Sequence, residues 1–256
     1  PRMNDGLEKP PETAGVIKSA SRTLAVLEAF QNWKRPAGAR EIARTLEMPR
    51  SSANALLASL VTLGYLWFEP KNATYFPTLK VGLLGDWLIG SIRRDRALSS
   101  ILQEISAATG ETVSLVMRTG FDMQLVTIVP STFPIALNIE EGALAPLFES
   151  AVGIAWIAAQ NIGEIEDLVV AHNKRPGVTQ VAPLDLKKRI SEVAAKGAAV
   201  AYDKVLPDTG AIALAFPRPV QGQTIVIGLG GPHERIRRSE KQIIALIRRL
   251  VRQTLG

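Results

Sequence analysis

Cysteine is absent from the 256 residues, and histidine occurs only at His172 and His233. The first absence excludes a disulfide framework, thiol catalysis and thiolate metal sites; it is compatible with a reducing cytoplasm, the expected location. The second leaves too few imidazoles for a histidine-rich metal centre. Long apolar runs are lacking as well. The most apolar long stretch, Leu79–Ile92, is interrupted by Lys80 and Asp86 and is too short to cross a bilayer. The opening PRMNDGLEKPPETAG has no apolar signal core. There is no G-x-S-x-G elbow, no H-E-x-x-H pair and no credible histidine-centred triad. Gly228, Gly230 and Gly231, followed by Pro232, lack the spacing of a nucleotide fingerprint and read as a strand-ending turn. Catalysis, cofactor and membrane partner are therefore not expected.

What is present is globular material with a basic balance. Hydrophobic residues at 46% and charged residues at 21% supply a core, and the length is comfortable for two domains, one large domain being the alternative. A net charge of +6 favours an anionic partner such as nucleic acid without identifying one. Residues 1–15, with Pro10-Pro11 and mixed charge, read as a flexible arm.

Residues 16–78 carry a succession of short periodic segments. A helix is expected over Ser19–Asn32, capped by Ser19 or Ser21, with Leu24, Leu27 and Phe30 on one face. A second runs from Ala39 to Leu46, and Glu47-Met48-Pro49 turns the chain. A third starts near Arg50, capped by Ser51 or Ser52, and buries Ala53, Leu56, Leu57 and Leu60 up to a stop at Gly64. Tyr65–Phe68 and Thr74–Phe76 then read as strands around a turn at Pro70-Lys71-Asn72. Helix, helix, turn, helix and hairpin in this order make a winged helix-turn-helix. The leucine stripe leaves Arg50, Ser51, Ser52, Asn54, Ala55 and Ser59 towards the outside. Arg50 can reach phosphate or guanine, Asn54 can pair with adenine, and the serines can take phosphate or base edges. Lys71 and Asn72 are candidate contacts at the wing tip. A solvated face is the alternative for the helix, and turn chemistry alone would explain Asn72.

Residues 79–95 read as a linking helix with Leu83, Leu84, Trp87 and Leu88 available for burial, an ordinary buried helix within one domain being the alternative. Residues 96–256 mix both periods. Leu98, Ile101, Leu102 and Ile105 mark a helix that Gly110 ends; Thr112–Arg118, Met123–Val129 and Ile135–Ile139 read as strands. Helices follow near Ser150–Gln160, Gly163–Ala171 and Leu184–Lys196, then strands at Ala198–Asp203, Gly210–Phe216 and Thr224–Leu229, and a basic amphipathic helix from His233 to Thr254. Helices bunched around adjacent strand runs indicate an α+β fold.

SASRTLAVLEAF, EIARTLEMPRSSANALLASLVTLGYL and TYFPTLKVGLLG resemble the DNA-binding domain of the IclR family of bacterial transcription regulators. GALAPLFESAVGIAWIAA, KGAAVAYDKVLPDTGAIALAFP and TIVIGLGGPHERI resemble its effector-binding domain, in the expected order, so the resemblance covers nearly all of residues 16–254. It implies a winged helix-turn-helix joined by a linker helix to a GAF-like domain whose antiparallel sheet has a ligand cavity beside it. It also implies linker-helix dimer contacts and a homodimer or dimer of dimers; because one short helix reads too few base pairs, symmetric binding to a palindromic double-stranded operator is expected. Family members often carry arginine where this chain has Ala55, which offers a thymine methyl only apolar contact.

Family sensors of small carboxylates use backbone amides in the segment matching Ser150, Ala151, Val152 and Gly153, and a helix start suits an anion. They also use an acid matching Asp203, a cysteine matching Ala213 and two serines matching Gly228 and Gly230. The three small replacements are expected to enlarge the cavity and favour a carboxylate with an apolar or aromatic body, walled by Phe148, Trp156 and Phe216. For each aromatic a core role is the alternative, and for Asp203 a turn role. The resulting expectation is a ligand-responsive DNA-binding regulator, not an enzyme. Its alternatives are a ligand-independent DNA-organising protein and an enzyme built on the second domain.

Overall fold

A computed structural model describes residues 17–220 and 222–255, with side chains except at 86–89, 91–94 and 254–255. The arm expected over residues 1–15 lies outside the described residues. The chain divides between Gly90 and Ser91 into two compact units.

The first unit contains α1 (Lys18–Trp33), β1 (Ala37–Gly38), α2 (Ala39–Thr45), α3 (Arg50–Thr62), β2 (Leu66–Glu69) and β3 (Thr74–Pro77), and α4 (Leu79–Arg94) begins in it. Helix α1 buries Val26, Ala29 and Phe30, with Leu27 half-buried, whereas Leu24, expected inside, is exposed. The expected serine caps do not form. Chain entry is set by Ile17 before α1 and by Pro49 before α3, neither with a side-chain cap, so Ser19, Ser51 and Ser52 fall inside the first turns. Between α2 and α3, Glu47 takes a left-handed φ of 48° and Met48 is buried, which pins the turn to the core. Helix α3 buries Ala53, Leu57 and Leu60, with Leu56 half-buried. Gly64 follows at φ +76°, and the Lys80 ammonium donates to the Leu63 carbonyl at 2.8 Å, placing a cation at the helix C-terminus. The hairpin β2–β3 gains a third antiparallel strand in β1, where the sequence shows only a Pro-Ala-Gly break.

The second unit contains α5 (Arg96–Thr109), β4 (Thr112–Thr119), β5 (Asp122–Val129), β6 (Leu144–Pro146), α6 (Ala151–Ala158), α7 (Ile162–Asn173), α8 (Pro183–Lys196), β7 (Ala199–Tyr202), β8 (Thr209–Ala215), β9 (Ile225–Pro232) and α9 (His233–Leu255). The six strands form one antiparallel sheet in the order β6-β5-β4-β9-β8-β7. One face packs on α5 and α9 through Leu98, Ile101, Ile105, Ile227, Ile236 and Ile247. The other packs on α6 and its neighbours through Val116, Leu125, Ile154, Ile157, Ala213 and Val226. The molecule is α+β, with a helical first unit and a sheet-based second.

The strand expected over Ile135–Ile139 is not formed; that segment is irregular and Ile135 is exposed. The neighbouring edge of β5 is engaged by residues that follow this segment. Leu125 of β5 already exchanges hydrogen bonds with Gly142 and Ala143, and the Ile128 amide donates to the Glu141 carboxylate. The short β6 takes the edge instead. In α4, Leu79, Leu83 and Leu84 are exposed in the isolated chain. The side chains of Trp87 and Leu88 lie outside the described residues.

Candidate nucleic-acid interface and effector site

The outer face of α3 is small and polar. Arg50, Ser51, Asn54, Ala55 and Ser59 are exposed and Ser52 is half-buried. Among the described residues no partner holds Arg50 or Asn54, so both are available to a ligand. Ser59 differs: its hydroxyl donates to the Ala55 carbonyl at 2.8 Å, leaving only its acceptor capacity. Lys71 and Asn72 are exposed in the β2–β3 turn, where the Lys71 amide donates to Glu69 Oε1 at 3.1 Å and Ala73 takes φ +52°. A helix with such a face, held by its opposite leucines and followed by a hairpin, has the shape that enters a major groove.

In the second unit, α6 starts over the sheet. Ser150 is buried, its hydroxyl donating to the Pro146 carbonyl at 2.7 Å and accepting from the Gly153 amide at 3.0 Å. The Ser150 amide donates to Pro146 as well. Among the described residues, the Ala151 and Val152 amides find no acceptor, so two orphan donors remain at a helix N-terminus, where the backbone dipole favours an anion. A Cβ at Gly153 would meet the Leu147 carbonyl oxygen at 1.9 Å, so only glycine lets the helix lie this close to the preceding loop. Beneath lies a floor of small residues: Ala199, Ala213 and Gly228 form one cross-strand row and Ala201, Ala211 and Gly230 the next. Beside Gly228 stands Ser114, its register partner on β4. Among the described residues, no group of three or more His, Asp or Glu side chains could hold a metal ion.

Residues 19–70 match the IclR helix-turn-helix domain, and residues 92–254 match the bacterial transcriptional regulator IclR C-terminal domain. The chain belongs to the IclR family. That family comprises bacterial transcription regulators, not enzymes. The HTH-type transcriptional regulator XynR of Escherichia coli is 24% identical over 153 residues, which are 59% of this chain and 61% of that protein. The match thus spans about three fifths of that relative's length. An IclR family transcriptional regulator from Brucella abortus shares the fold at TM-score 0.77 and 20% identity, over 98% of this chain and 96% of that one. An IclR homologue from Microbacterium hydrocarbonoxydans, crystallised with 4-hydroxybenzoate, does so at TM-score 0.73 and 15% identity, over 93% and 99%.

In this IclR-family chain the structure brings Ser150, Ala151, Val152, Gly153, Ala213 and Gly228 together, with Gly230 one row along. The cavity expected from the small replacements is not opened. A Cβ at Gly228 would meet Val152 Cγ1 at 2.8 Å and Ser114 Oγ at 2.9 Å, and one at Gly230 would meet Leu137 Cδ2 at 2.6 Å. Val152 and Leu137 thus take up the space above the two glycines. Phe148 and Trp156 are buried on the α6 side, Phe148 against the His172 ring at 4.6 Å and Trp156 beneath the Arg118 guanidinium at 4.8 Å. Phe216 belongs to the α5–α9 core, on the opposite face of the sheet, and cannot wall this site. Asp203 sits at φ +54° beyond β7, its carboxylate bonded to His233 Nδ1 at 2.7 Å.

Two further features carry no motif. Arg189 of α8 donates to the Phe148 and Glu149 carbonyls just ahead of α6, and burial lowers its pKa. The loop carrying Leu137 is tied from both sides: Thr112 Oγ1 donates to the Leu137 carbonyl at 2.8 Å, and Arg235 donates to the Ile135 carbonyl at 3.0 Å. Arg235 also grips the buried Glu111 carboxylate with two donors, which raises its own pKa, and lies over the Phe133 ring at 4.1 Å. Strand alternation places Ser114 on this face, whereas Leu137 lies in a segment whose alternation predicts a strand that does not form.

Proposed function

We propose that this chain is a DNA-binding transcription regulator whose operator binding responds to a small carboxylate with an apolar or aromatic body. The observation that carries the effector half is the pair of unsatisfied amides at Ala151 and Val152 over an uncharged floor. The carboxylate sits against those amides, and the body lies along Ala201, Ala211 and Gly230 after displacing Leu137. A fold neighbour solved with 4-hydroxybenzoate makes that acid the first compound to try.

The DNA half rests on the exposed Arg50 and Asn54 of α3, with Ser51, Ser52, Ala55, Lys71 and Asn72 around them. One short helix reads few base pairs, so the regulator binds a palindrome as a homodimer or dimer of dimers, with Leu79, Leu83 and Leu84 of α4 covered by the second copy. The effector acts by binding one arrangement of that dimer better than another.

Footprinting on the DNA flanking its own gene, with and without aromatic and aliphatic acids, tests both halves. A symmetric footprint altered by an aromatic acid is expected. Ala151→Pro removes one amide at the first helical position, where proline is tolerated, after a Ser150 already at φ −76° and ψ 155°. It should weaken acid binding about tenfold while leaving the footprint intact. A footprint indifferent to every acid would leave DNA binding standing without ligand control.

A further inference from the structure

We infer that His233 is a positioning residue that withdraws the Asp203 carboxylate from the effector floor and thereby sets which acids the site accepts; this rests on the effector reading above. In β7, Ala199 and Ala201 face the α6 side while Val200 and Tyr202 face the α5–α9 core. Strand alternation would put the next side chain, at 203, back on the α6 side at the end of the floor. The chain does something else. Asp203 adopts a left-handed φ of 54°, unfavourable for a residue with a Cβ, and its amide donates to the Thr209 carbonyl at 2.9 Å. Its Oδ2 accepts from His233 Nδ1 at 2.7 Å.

His233 is built to hold that bond. It is the first residue of α9, and its amide donates to the carbonyl of Asp208, itself at φ +57°. Its ring stacks on Tyr202 at 4.6 Å with planes 26° apart, and the Tyr202 hydroxyl is tied to Glu240 at 2.8 Å. A carboxylate can only accept, so Nδ1 carries the hydrogen. Nε2 is buried without a partner among the described residues, so the ring has no competing bond to turn towards.

The consequence lies in what the floor lacks. Its side chains are methyl groups and hydrogens, and the two hydroxyls beside it, of Thr112 and Ser114, already contact the Leu137 and Gly228 carbonyls. From Ala199 to position 203 is about 13 Å along the strand, four residues at roughly 3.3 Å each. An acid anchored at the Ala151 and Val152 amides therefore points its far end towards position 203. With His233 holding Asp203 aside, that end meets apolar surface. Once His233 lets go, the carboxylate can swing inward and accept from a ligand hydroxyl. His233 thus favours acids whose distal end carries no hydroxyl.

Calorimetric titration of the full chain with benzoate and 4-hydroxybenzoate reads the effect as a ratio of affinities. His233→Phe keeps the stack on Tyr202 without the donor; His233→Asn keeps a donor near the Nδ1 position without the ring. The preference for 4-hydroxybenzoate over benzoate should rise about tenfold in H233F, stay near wild type in H233N, and return to wild type in the double variant D203A/H233F. Equal ratios in all four proteins would overturn the inference alone. So would a rise in H233F that persists in the double variant, because His233 would then act by packing. If neither wild type nor H233F bound either acid, the effector reading itself would fall and the inference with it.

Discussion

Two glycines in neighbouring helices make opposite demands. Gly153 in α6 has no room for a methyl, whereas a Cβ at Gly163 in α7 would find only Asn161 Oδ1 at an ordinary 3.7 Å. Gly153→Ala should destabilise the second unit by about 2–3 kcal/mol through overpacking against backbone that cannot yield. Gly163→Ala should stabilise it by about 0.5–1 kcal/mol from helix propensity alone. Thermal unfolding of the two variants beside wild type checks both signs. The sequence shows two glycines in apolar helical patterns and cannot tell them apart, because the difference lies in the Leu147 carbonyl. The same holds for Asp203, whose partner stands 30 residues away on another element.

At the scale of elements, the amphipathic periods placed α3, α5 and α9 because each has one stripe that must be covered. Periodicity does not say which of two adjoining stripes is covered: it predicts Leu24 inside, where Val26 is. Nor does it say which face of a sheet an aromatic joins, as Phe216 shows. The leucine stripe of α3 makes a direct prediction. Leu57→Ala should cost about 2–5 kcal/mol of first-unit stability and abolish operator binding, with effector binding by the second unit unchanged, as calorimetry with an aromatic acid would show. Helix α9 makes another through Glu240. Burial raises the pKa of that carboxyl, but hydrogen bonds from Tyr202 and Lys196 outweigh it, and the net shift is downward. A depressed carboxyl pKa contributes stability above the ordinary carboxylate range, and that contribution is lost as pH falls through the folded value. The unfolding midpoints of wild type and Glu240→Gln should therefore separate near neutral pH and converge below about pH 4.5.

For the whole molecule, a helix-turn-helix part followed by a sheet-based α+β part was legible because the periodicity changes after the hairpin, although the candidate effector site was not legible as a volume. DNA binding should respond to charge at two levels. Operator affinity should fall steeply with salt as phosphate contacts release counterions. Arg50→Ala should cost about 1–3 kcal/mol on operator and far less on random DNA if the guanidinium reads a base. Equal losses in a titration on the two DNAs would make Arg50 a phosphate contact.

The centre of the six-stranded sheet joins β4 to β9, pairing Thr112–Met117 with Ile225–Gly230. On the ribosome, the first unit has β1, β2 and β3 once Pro77 has emerged, whereas the sheet of the second must wait for β9, which ends at Pro232. A message cut short before β9 would release a first unit with its hairpin in place, trailing two sheet halves with bare inner edges. Such fragments should be cleared by proteases or drawn into aggregates, and a cell that makes this regulator would be guarded against truncated copies occupying its operators.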